Sequence, residues 1–463
     1  MTAIDTGTRR AELTRYPDDD REALYERGRA LRRESPRRSH AGWQAPADRP
    51  DPLELLEWTN RNRVPELIPI RWGRMLASPF AYYRGSPYVM AHDLSTTATS
   101  GINVQICGDA HLMNFGLYAA PDRHLVFDVN DFDETLAGPW EWDLKRLAAS
   151  MVVAARANGF RETKAVAAAT AVGRAYRTAL ANYAAMYMLD LWYERTDLDE
   201  VQASNRATPL VDSAQAIIAK ARSNTNVRAV QKLAHEVDGR LELIENPPVV
   251  ERIHDPALLG RTNELMELYL SSLPEERRVL LRGFRFVDAA RKVVGVGSVG
   301  TRCSMILLEG RVNGGPLFLQ VKEAEASILE PFVGASPYEQ HGQRVVVGQH
   351  TMQGVSDLML GWASFDGRCF YVRQLRDMKG SVDTSTMTPT QLRDYGATCA
   401  RCVARGHGRS GLAALISGYL GTSTKFDDSL AAFAVDYADQ NERDYDRFTE
   451  AVRDGHIEAR TGI

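Results

Sequence analysis

Residues 104–149 constrain the fold of this chain most strongly, because they combine two short strand-like runs with many polar side chains. The first run, VQIC, leads into Gly108 and Asp109, and Asn114 follows shortly after them. The second run, LVF, leads into an acidic group that includes Asp131. Mg²⁺ prefers hard oxygen ligands and is usually bound by one or two carboxylates together with substrate phosphates. The stretch therefore predicts a magnesium site.

The same polar residues also have an ordinary structural interpretation. Asp and Asn are common in turns and at helix N-caps, and Asp143 precedes an apolar-periodic run that predicts a helix. For Asp128 and Asp133 taken alone, a role in shaping turns is the better interpretation. Capping does not require the spacing of the whole constellation, so we interpret that constellation as functional.

A second motif lies much further along the chain. Residues 284–324 contain three β-prone runs separated by turn signals, and Gly295, Gly297 and Gly300 form a GxGxxG pattern. A dinucleotide-binding fold would continue with a helix after the last glycine, whereas here another strand-like run follows. The order predicts a Gly-rich hairpin and then a strand that carries Lys322. The structural alternative is a solvent-facing lysine beside glycines that only bend a hairpin.

Composition sets the broad class of the protein. With 463 residues and 51.5 kDa, the chain can bury a large core divided into two or three lobes. Its net charge of -4 does not favour nucleic acid or anionic membranes as partners, and no apolar run is long enough to span a bilayer. The first residues lack an apolar signal-peptide core, so a cytoplasmic location is expected. The five cysteines, including the pair Cys399 and Cys402, predict neither a disulfide framework nor a zinc site.

The patterns along the chain predict an α+β protein in four parts. Residues 1–40 are charged and unperiodic, which predicts a frayed, partly helical arm. Residues 41–282 have mainly helical spacing and would form the first part of a large lobe. Residues 283–378 would form a small antiparallel β lobe. Residues 379–463 would leave that lobe and complete the large lobe with helices. The oligomeric state is not predicted.

The two motifs together resemble those of protein-kinase-like phosphotransferases, most closely the aminoglycoside- and choline-kinase branch, whose GDxHxxN motif matches Gly108–Asn114. In kinases an Asp accepts the proton of the substrate hydroxyl, and an Asn and a second Asp hold metal. A Gly-rich loop covers the nucleotide phosphates, and a Lys on the third strand contacts them. The resemblance implies a two-lobe kinase-like fold whose cofactors are ATP and Mg²⁺, with Mn²⁺ as the alternative metal.

The resemblance also assigns roles to single residues. The expected catalytic residues are Asp109, Lys322 and Glu339, with Glu339 pairing with Lys322 and Glu325 as the alternative partner. The expected metal ligands are Asn114 and Asp131. The expected nucleotide-binding residues are Gly295, Gly297, Ser298, Gly300, Lys322, Gln374 and Leu375, the last two at a hinge that holds the adenine. The residues expected to border the site are Arg84, His111, Asp133, His407 and Arg409.

The order of the motifs differs from that of an ordinary kinase, because the catalytic loop precedes the Gly-rich loop. This order implies a circularly permuted fold. The segments RWGRMLASPFAYYRG, GDAHLMNFG, FDVNDFDET and GPWEWDLKRLAAS also resemble the bacterial domain-of-unknown-function 2252 family, whose pattern covers nearly the whole chain. That family name certifies no activity and leaves the substrate open.

The function expected from these observations is ATP- and Mg²⁺-dependent phosphoryl transfer. A small-molecule hydroxyl is favoured over a protein as the acceptor, by analogy and because no activation segment is evident. Three alternatives stay open: transfer of an AMP group by a kinase fold, a nucleotide-binding pseudokinase without chemistry, and metal-dependent hydrolysis by the acids alone. The last would leave the Gly-rich hairpin and Lys322 without a purpose.

Overall fold

The computed structural model describes residues 10–462 apart from 17, 200–217, 224–225, 294, 313 and 376–377. It is a mixed α+β structure, which confirms the predicted class. The helices with defined bounds are α1 (Arg21–Leu31), α2 (Pro52–Trp58), α3 (Ile68–Met75), α4 (Pro79–Gly85), α5 (Pro87–Ser95), α6 (Trp140–Ala157), α7 (Glu162–Tyr183), α8 (Met188–Tyr193), α9 (Asn226–Leu233), α10 (Pro256–Ser271), α11 (Glu275–Arg282), α12 (Glu330–Val333), α13 (His341–Met352), α14 (Pro389–His407), α15 (Ala413–Leu420) and α16 (Lys425–Arg453). The strands are β1 (Asn103–Ile106), β2 (Phe115–Ala119), β3 (Leu125–Val129), β4 (Leu136–Pro139), β5 (Ala234–Val237), β6 (Arg240–Leu243), β7 (Val250–Arg252), β8 (Phe284–Lys292), β9 (Cys303–Gly310), β10 (Pro316–Glu323), β11 (Gly361–Phe365), β12 (Arg368–Gln374) and β13 (Gly380–Ser381).

The largest sheet is antiparallel and has six strands in the order β11-β12-β10-β9-β8-β7. Because side chains alternate along a strand, Leu319 and Val321 of β10 share one face, and Phe318, Gln320 and Lys322 share the other. Leu319 and Val321 pack against Tyr269 and Leu273, from α10 and the turn after it. Lys322 lies on the opposite face, toward the large lobe.

The large lobe is built around α6, whose residues from the first turn almost to the end are buried. A helix that is enclosed on all sides needs neighbours all round, and α7, α14 and α16 supply them. Beside this bundle lie two small sheets, the pair β1-β4 and the three strands β13-β2-β3. The β2–β3 hairpin and the loop after β1 carry the predicted acidic motif.

One part of the predicted layout differs from the structure. Residues 234–252 form strands rather than helices, because Asp238 and Gly239 both have positive φ and make the tight turn that joins β5 to β6. β7 then joins the large sheet, so the β lobe begins well before residue 283. The N-terminal arm was predicted to be partly helical, and its described part contains α1. Helix α1 crosses α15 so closely that a Cβ on Gly28 would lie 1.9 Å from a carbonyl oxygen.

Candidate active site

One cleft is lined by residues of both predicted motifs, which are far apart in the sequence. The residues that they contribute to its wall include Asp109, His111, Asn114, Asp131, Asp133, Gly295, Gly297 and Ser298. The space in the cleft, including the part open to solvent, is about 1120 Å³. Residues from two distant parts of the chain therefore face one open space.

The loop that carries Asp109 is held from behind by a buried carboxylate. Asp143, in the first turn of α6, accepts hydrogen bonds from the backbone amides of Cys107 (2.8 Å) and Gly108 (3.0 Å). Gly108 has a φ of +83°, and a Cβ there would lie 2.5 Å from the carbonyl oxygen of Glu134, so only glycine fits. Asp143 therefore fixes the backbone before Asp109 and is not the N-cap of α6.

His407 and Arg409 lie behind this loop and do not line the cleft. The His407 ring is fully buried, with Nε2 3.2 Å from Asp143 Oδ2 and Nδ1 2.7 Å from the hydroxyl of Tyr176. Arg409 is also buried and donates to the backbone carbonyl oxygen of Gln353. The predicted border role is corrected for both residues, because α14 ends within the core beneath the loop that carries Asp109.

The Asp109 carboxylate is paired on one side. Arg146 of α6 donates its Nε–H to Asp109 Oδ1 at 2.8 Å and is itself held by the ring and carbonyl oxygen of Tyr83. Burial raises the pKa of Asp109, and the Arg146 charge opposes this shift. His111 accepts a hydrogen bond at Nδ1 from the Met113 amide, and burial lowers the pKa of His111 well below its ordinary value. A neutral His111 thus lies beside an acid whose proton affinity is increased.

Asn114 and Asp131 lie at the same end of the β2–β3 hairpin. The backbone amide of Asn130 donates to the carbonyl oxygen of Asn114 at 2.8 Å, which makes the residues flanking the two strands neighbours. Asn114 donates from Nδ2 to the Asp109 carbonyl oxygen at 2.8 Å, so its Oδ1 is the atom available to a cation. Within the described ranges, the Asp131 carboxylate accepts one hydrogen bond, from the Asp133 amide at 3.4 Å. This donor set fits Mg²⁺.

The loop between β8 and β9 is tied to the N-terminal helices. Arg74 donates to the carbonyl oxygen of Gly295, and the Val64 amide donates to that of Gly300 at 2.8 Å. A Cβ on Gly297 would lie 3.5 Å from the backbone of α4, so loop and helix are in close contact. Gly300 does not line the cleft, and its φ of +89° turns the chain toward β9.

Lys322 is buried on β10 and forms an ion pair with Asp133. Tyr371, directly opposite Lys322 on β12, donates its hydroxyl to Asp133 Oδ1 at 2.7 Å. Burial opposes the ammonium charge, but the Asp131 and Asp133 carboxylates outweigh it and raise the pKa of Lys322. Glu339 is exposed in the bend before α13. The predicted pair between Lys322 and Glu339 is therefore wrong.

An arginine of α13, the second helix after β10, links that helix to the acidic loop. Helix α13 has the sequence HGQRVVVGQHTM and contains no acidic residue. Its Arg344 donates to the carbonyl oxygens of Thr135 (2.7 Å), Asp133 (2.8 Å) and Glu325 (2.8 Å). Glu325, the alternative partner for Lys322, lies in the cleft wall and makes no ion pair with Lys322.

Gln374 and Leu375, the residues predicted to lie at a hinge, are not part of this cleft. Leu375 is buried, and its amide donates to the carbonyl oxygen of Phe318 at 2.9 Å. Gln374 lines a second cavity that also contains Asn130 and Asp357. The structure therefore does not bring Gln374 and Leu375 together with the Gly-rich loop.

Two residues in the wall of the second cavity, Asn130 and Arg373, are in contact. Arg373 donates to the Asn130 carbonyl oxygen and to Gln320 Oε1, both at 2.9 Å. The ion pair between Lys322 and Asp133 lies on the same face of the sheet. The contacts of Arg373 and Lys322 thus join the large sheet to the loop after β3.

Four site residues were not predicted as such: Glu134, Asp143, Arg146 and Arg344. Glu134 lines the cleft and accepts the Ile328 amide at 2.8 Å, and burial raises the pKa of Glu134 to about 7. The spacing of Asp143 and Arg146, one helical turn apart on a segment adjoining the motif, was a usable signal. Nothing in the local sequence marks Arg344.

Another acidic group, His124, Asp197 and Asp199, has side-chain ligand atoms within 4.8 Å of one another. Arg195 pairs with Asp197 at 2.8 Å, and Arg222 pairs with Asp199. Because arginines neutralise both acids, we do not assign a metal site there.

Residues 63–451 match the model of a family described as an uncharacterized protein conserved in bacteria, DUF2252. No curated protein and no solved structure is significantly similar to the chain. Among the described helices, none has the length and apolar character required to cross a bilayer.

Proposed function

The chain belongs to the DUF2252 family, whose description assigns no activity, and we propose that it is a nucleotide-dependent phosphotransferase that uses Mg²⁺. The observation that carries the proposal is that a Gly-rich loop and the constellation of Asp109, Asn114 and Asp131 line one cleft. Phosphoryl transfer needs a loop over the nucleotide phosphates and acids that position metal and acceptor. A small-molecule hydroxyl is the proposed acceptor, on the analogy with aminoglycoside- and choline-type kinases.

The finer fold proposal is a circularly permuted kinase-like arrangement. Counted from β8, the Gly-rich loop joins the first and second strands of the sheet, and Lys322 lies on the third. After the short helix α12, helix α13 occupies the place in the chain order that the αC helix takes after the third strand of a kinase. The absence of an acid from α13 departs from that pattern, and the contacts of Asp133 and Arg344 support the site in its place.

In this proposal the residues of the chain act mainly by position and charge. Asp109 would accept or orient the proton of the acceptor hydroxyl, and the raised pKa of Asp109 favours that role. Arg146 would keep the carboxylate oriented and stabilise its charge. Asn114 and Asp131 would hold Mg²⁺, which when bound would neutralise charge on the nucleotide phosphates. Asp143 would keep the loop before Asp109 in place.

A second candidate is transfer of the nucleotidyl group, and one observation favours it. The open cleft lies beside the Gly-rich loop and α4, whereas Gln374 at the hinge lines a separate cavity. A nucleotide whose base avoids the hinge would present a different phosphate to Asp109. The acceptor hydroxyl would then attack the α-phosphate rather than the γ-phosphate.

The test is calorimetric titration of ATP with and without Mg²⁺. We expect Mg²⁺-dependent binding that is at least about tenfold weaker in Asp131→Asn, because a charged metal ligand is lost. Asp366→Asn is the matched control, since Asp366 is 65% exposed in the β11–β12 turn. Absence of ATP and GTP binding to the wild-type protein would refute both nucleotide proposals.

If binding is found, ATP labelled at the α- or γ-phosphate separates the two reactions on a panel of small hydroxyl compounds. Transfer of the γ-label supports phosphotransfer, and transfer of the α-label supports nucleotidyl transfer. Binding without transfer of either label, to these compounds or to proteins, would favour a nucleotide-binding regulatory module.

A further inference from the structure

One arginine in the cleft wall, Arg84, has no hydrogen-bond or ion-pair partner among the described residues. Four arginines line the cleft, and three of them have hydrogen-bond partners. Arg61 donates to the Trp58 carbonyl oxygen at 3.0 Å, and Arg63 donates to that of Thr59 at 3.0 Å. Arg71 also has its guanidinium bound, with a bond of 2.7 Å to an asparagine side chain.

Arg84 differs from these three. In the part of the chain that the structure describes, its guanidinium forms no hydrogen bond and no ion pair, and its Nε is shielded from solvent. Burial lowers the pKa of Arg84, while the charges of Asp109 and Asp131 oppose that shift without making contact. A half-buried guanidinium that lacks a partner loses hydration without compensation, so a site that retains one is suited to an anion.

The position of Arg84 indicates which anion. It lies in the last turn of α4, and its carbonyl oxygen is the atom nearest to a Cβ placed on Gly297. The preceding residue, Tyr83, packs on Arg146, which holds Asp109. Arg84 therefore lies in the same cleft wall as the Gly-rich loop and Asp109.

We propose that Arg84 binds a phosphate of the nucleotide polyphosphate between the Gly-rich loop and Asp109, as an arginine supplied by the chain itself. The identity of the nucleotide rests on the proposed function, but anion binding by Arg84 can be tested without it. A planar guanidinium can bind two phosphate oxygens at once and thereby orient the group as well as neutralise it. In phosphoryl transfer, an arginine in this role stabilises charge in the transition state.

The experiment is calorimetric titration with inorganic tripolyphosphate, with and without Mg²⁺, and in parallel with ATP. Arg84→Gln should bind tripolyphosphate about tenfold to 100-fold more weakly than the wild-type protein, because charge-assisted hydrogen bonds are lost. Arg84→Lys keeps the charge but loses the planar guanidinium. Its affinity for tripolyphosphate should lie between those of the wild-type protein and Arg84→Gln. Arg285→Gln is the charge-matched control, since Arg285 is 63% exposed on the β lobe. Thermal melting of each variant identifies any loss of folding.

The outcomes separate this inference from the proposed function. Tripolyphosphate binding that depends on Arg84, in a protein that binds no ATP, supports the anion site and overturns the nucleotide assignment. ATP binding that depends on Asp131 but is unchanged in folded Arg84→Gln overturns the role of Arg84 alone. The inference also fails if the wild-type protein does not bind tripolyphosphate, or if Arg285→Gln weakens binding as much as Arg84→Gln does.

Discussion

Glu134 is predicted to make the stability of this protein depend on pH. Its Oε2 accepts the Ile328 amide at 2.8 Å, and the Ser327 hydroxyl donates to the Glu134 carbonyl oxygen at 2.8 Å. The contact joins the acidic loop to the segment that leaves β10. Burial raises the pKa of Glu134 from 4.5 to about 7, with Asp133 and Asp109 adding to the shift and Arg344 opposing it.

The sign follows from proton binding. Between about pH 4.5 and 7 the folded protein retains a proton on Glu134 that the unfolded chain has lost, so the free energy of unfolding falls as pH rises through this window. The full shift corresponds to at most about 3 kcal/mol at 1.36 kcal/mol for each tenfold change. Because Glu134 is partly exposed in the cleft wall, we expect about 2 kcal/mol between pH 5 and pH 8.

The perturbation is Glu134→Gln, which keeps the acceptor for the Ile328 amide and removes the titration. Urea unfolding of wild-type and variant proteins at pH 5 and pH 8 gives the free-energy difference at each pH. The free energy of unfolding of the variant minus that of wild type should be about 2 kcal/mol larger at pH 8 than at pH 5. Glu236→Gln, at an exposed site on β5, should show no such gain. A difference between Glu134→Gln and wild type that is the same at both pH values would refute the reasoning.

Three further predictions concern contacts that hold the site. Lys322→Met leaves the Asp133 carboxylate without its ion-pair partner and should destabilise the protein by about 2–3 kcal/mol in urea unfolding; Asp133→Asn added to it should recover part of that loss. Gly28→Val should separate α1 from α15, because a side chain there has no space, and limited proteolysis should then cut the N-terminal arm, which stays resistant in wild type. His407→Phe removes the contact to Asp143 and should lower the turnover of the proposed reaction by about tenfold or more while ATP binding is kept, as kinetics and calorimetry together would test; unchanged turnover would contradict the supporting role.

The sequence was most informative where function depends on residues close together in the chain. The proximity of Asn114 and Asp131 follows from a hairpin whose strands and turn are encoded locally. The Gly-rich turn before β9 and the strand carrying Lys322 were also evident from turn signals and alternation. The DG turn between β5 and β6 was an available local signal that the helical interpretation overlooked.

The sequence did not predict the partners of the buried charged side chains. Lys322 was expected to pair with Glu339. It pairs instead with Asp133, which lies in the loop after β3, far from β10 in the sequence. Spacing along the sequence cannot choose between these acids, because the choice depends on which side chain the packed lobes leave within reach of a buried ammonium group. The same applies to His407, whose partner Asp143 comes from a different helix.

The sequence by itself determined the α+β class, the acidic hairpin and the Gly-rich turn, since each depends on short-range backbone preferences and the alternation of apolar residues. The tertiary structure decided which residues share a cleft: it brought the Gly-rich loop to Asp109 and left Gln374 beside another cavity. It also decided which charged side chains have partners among the described residues and which, like Arg84, have none there. These outcomes depend on long-range packing, in which desolvation and distance between distant segments decide the contacts that form.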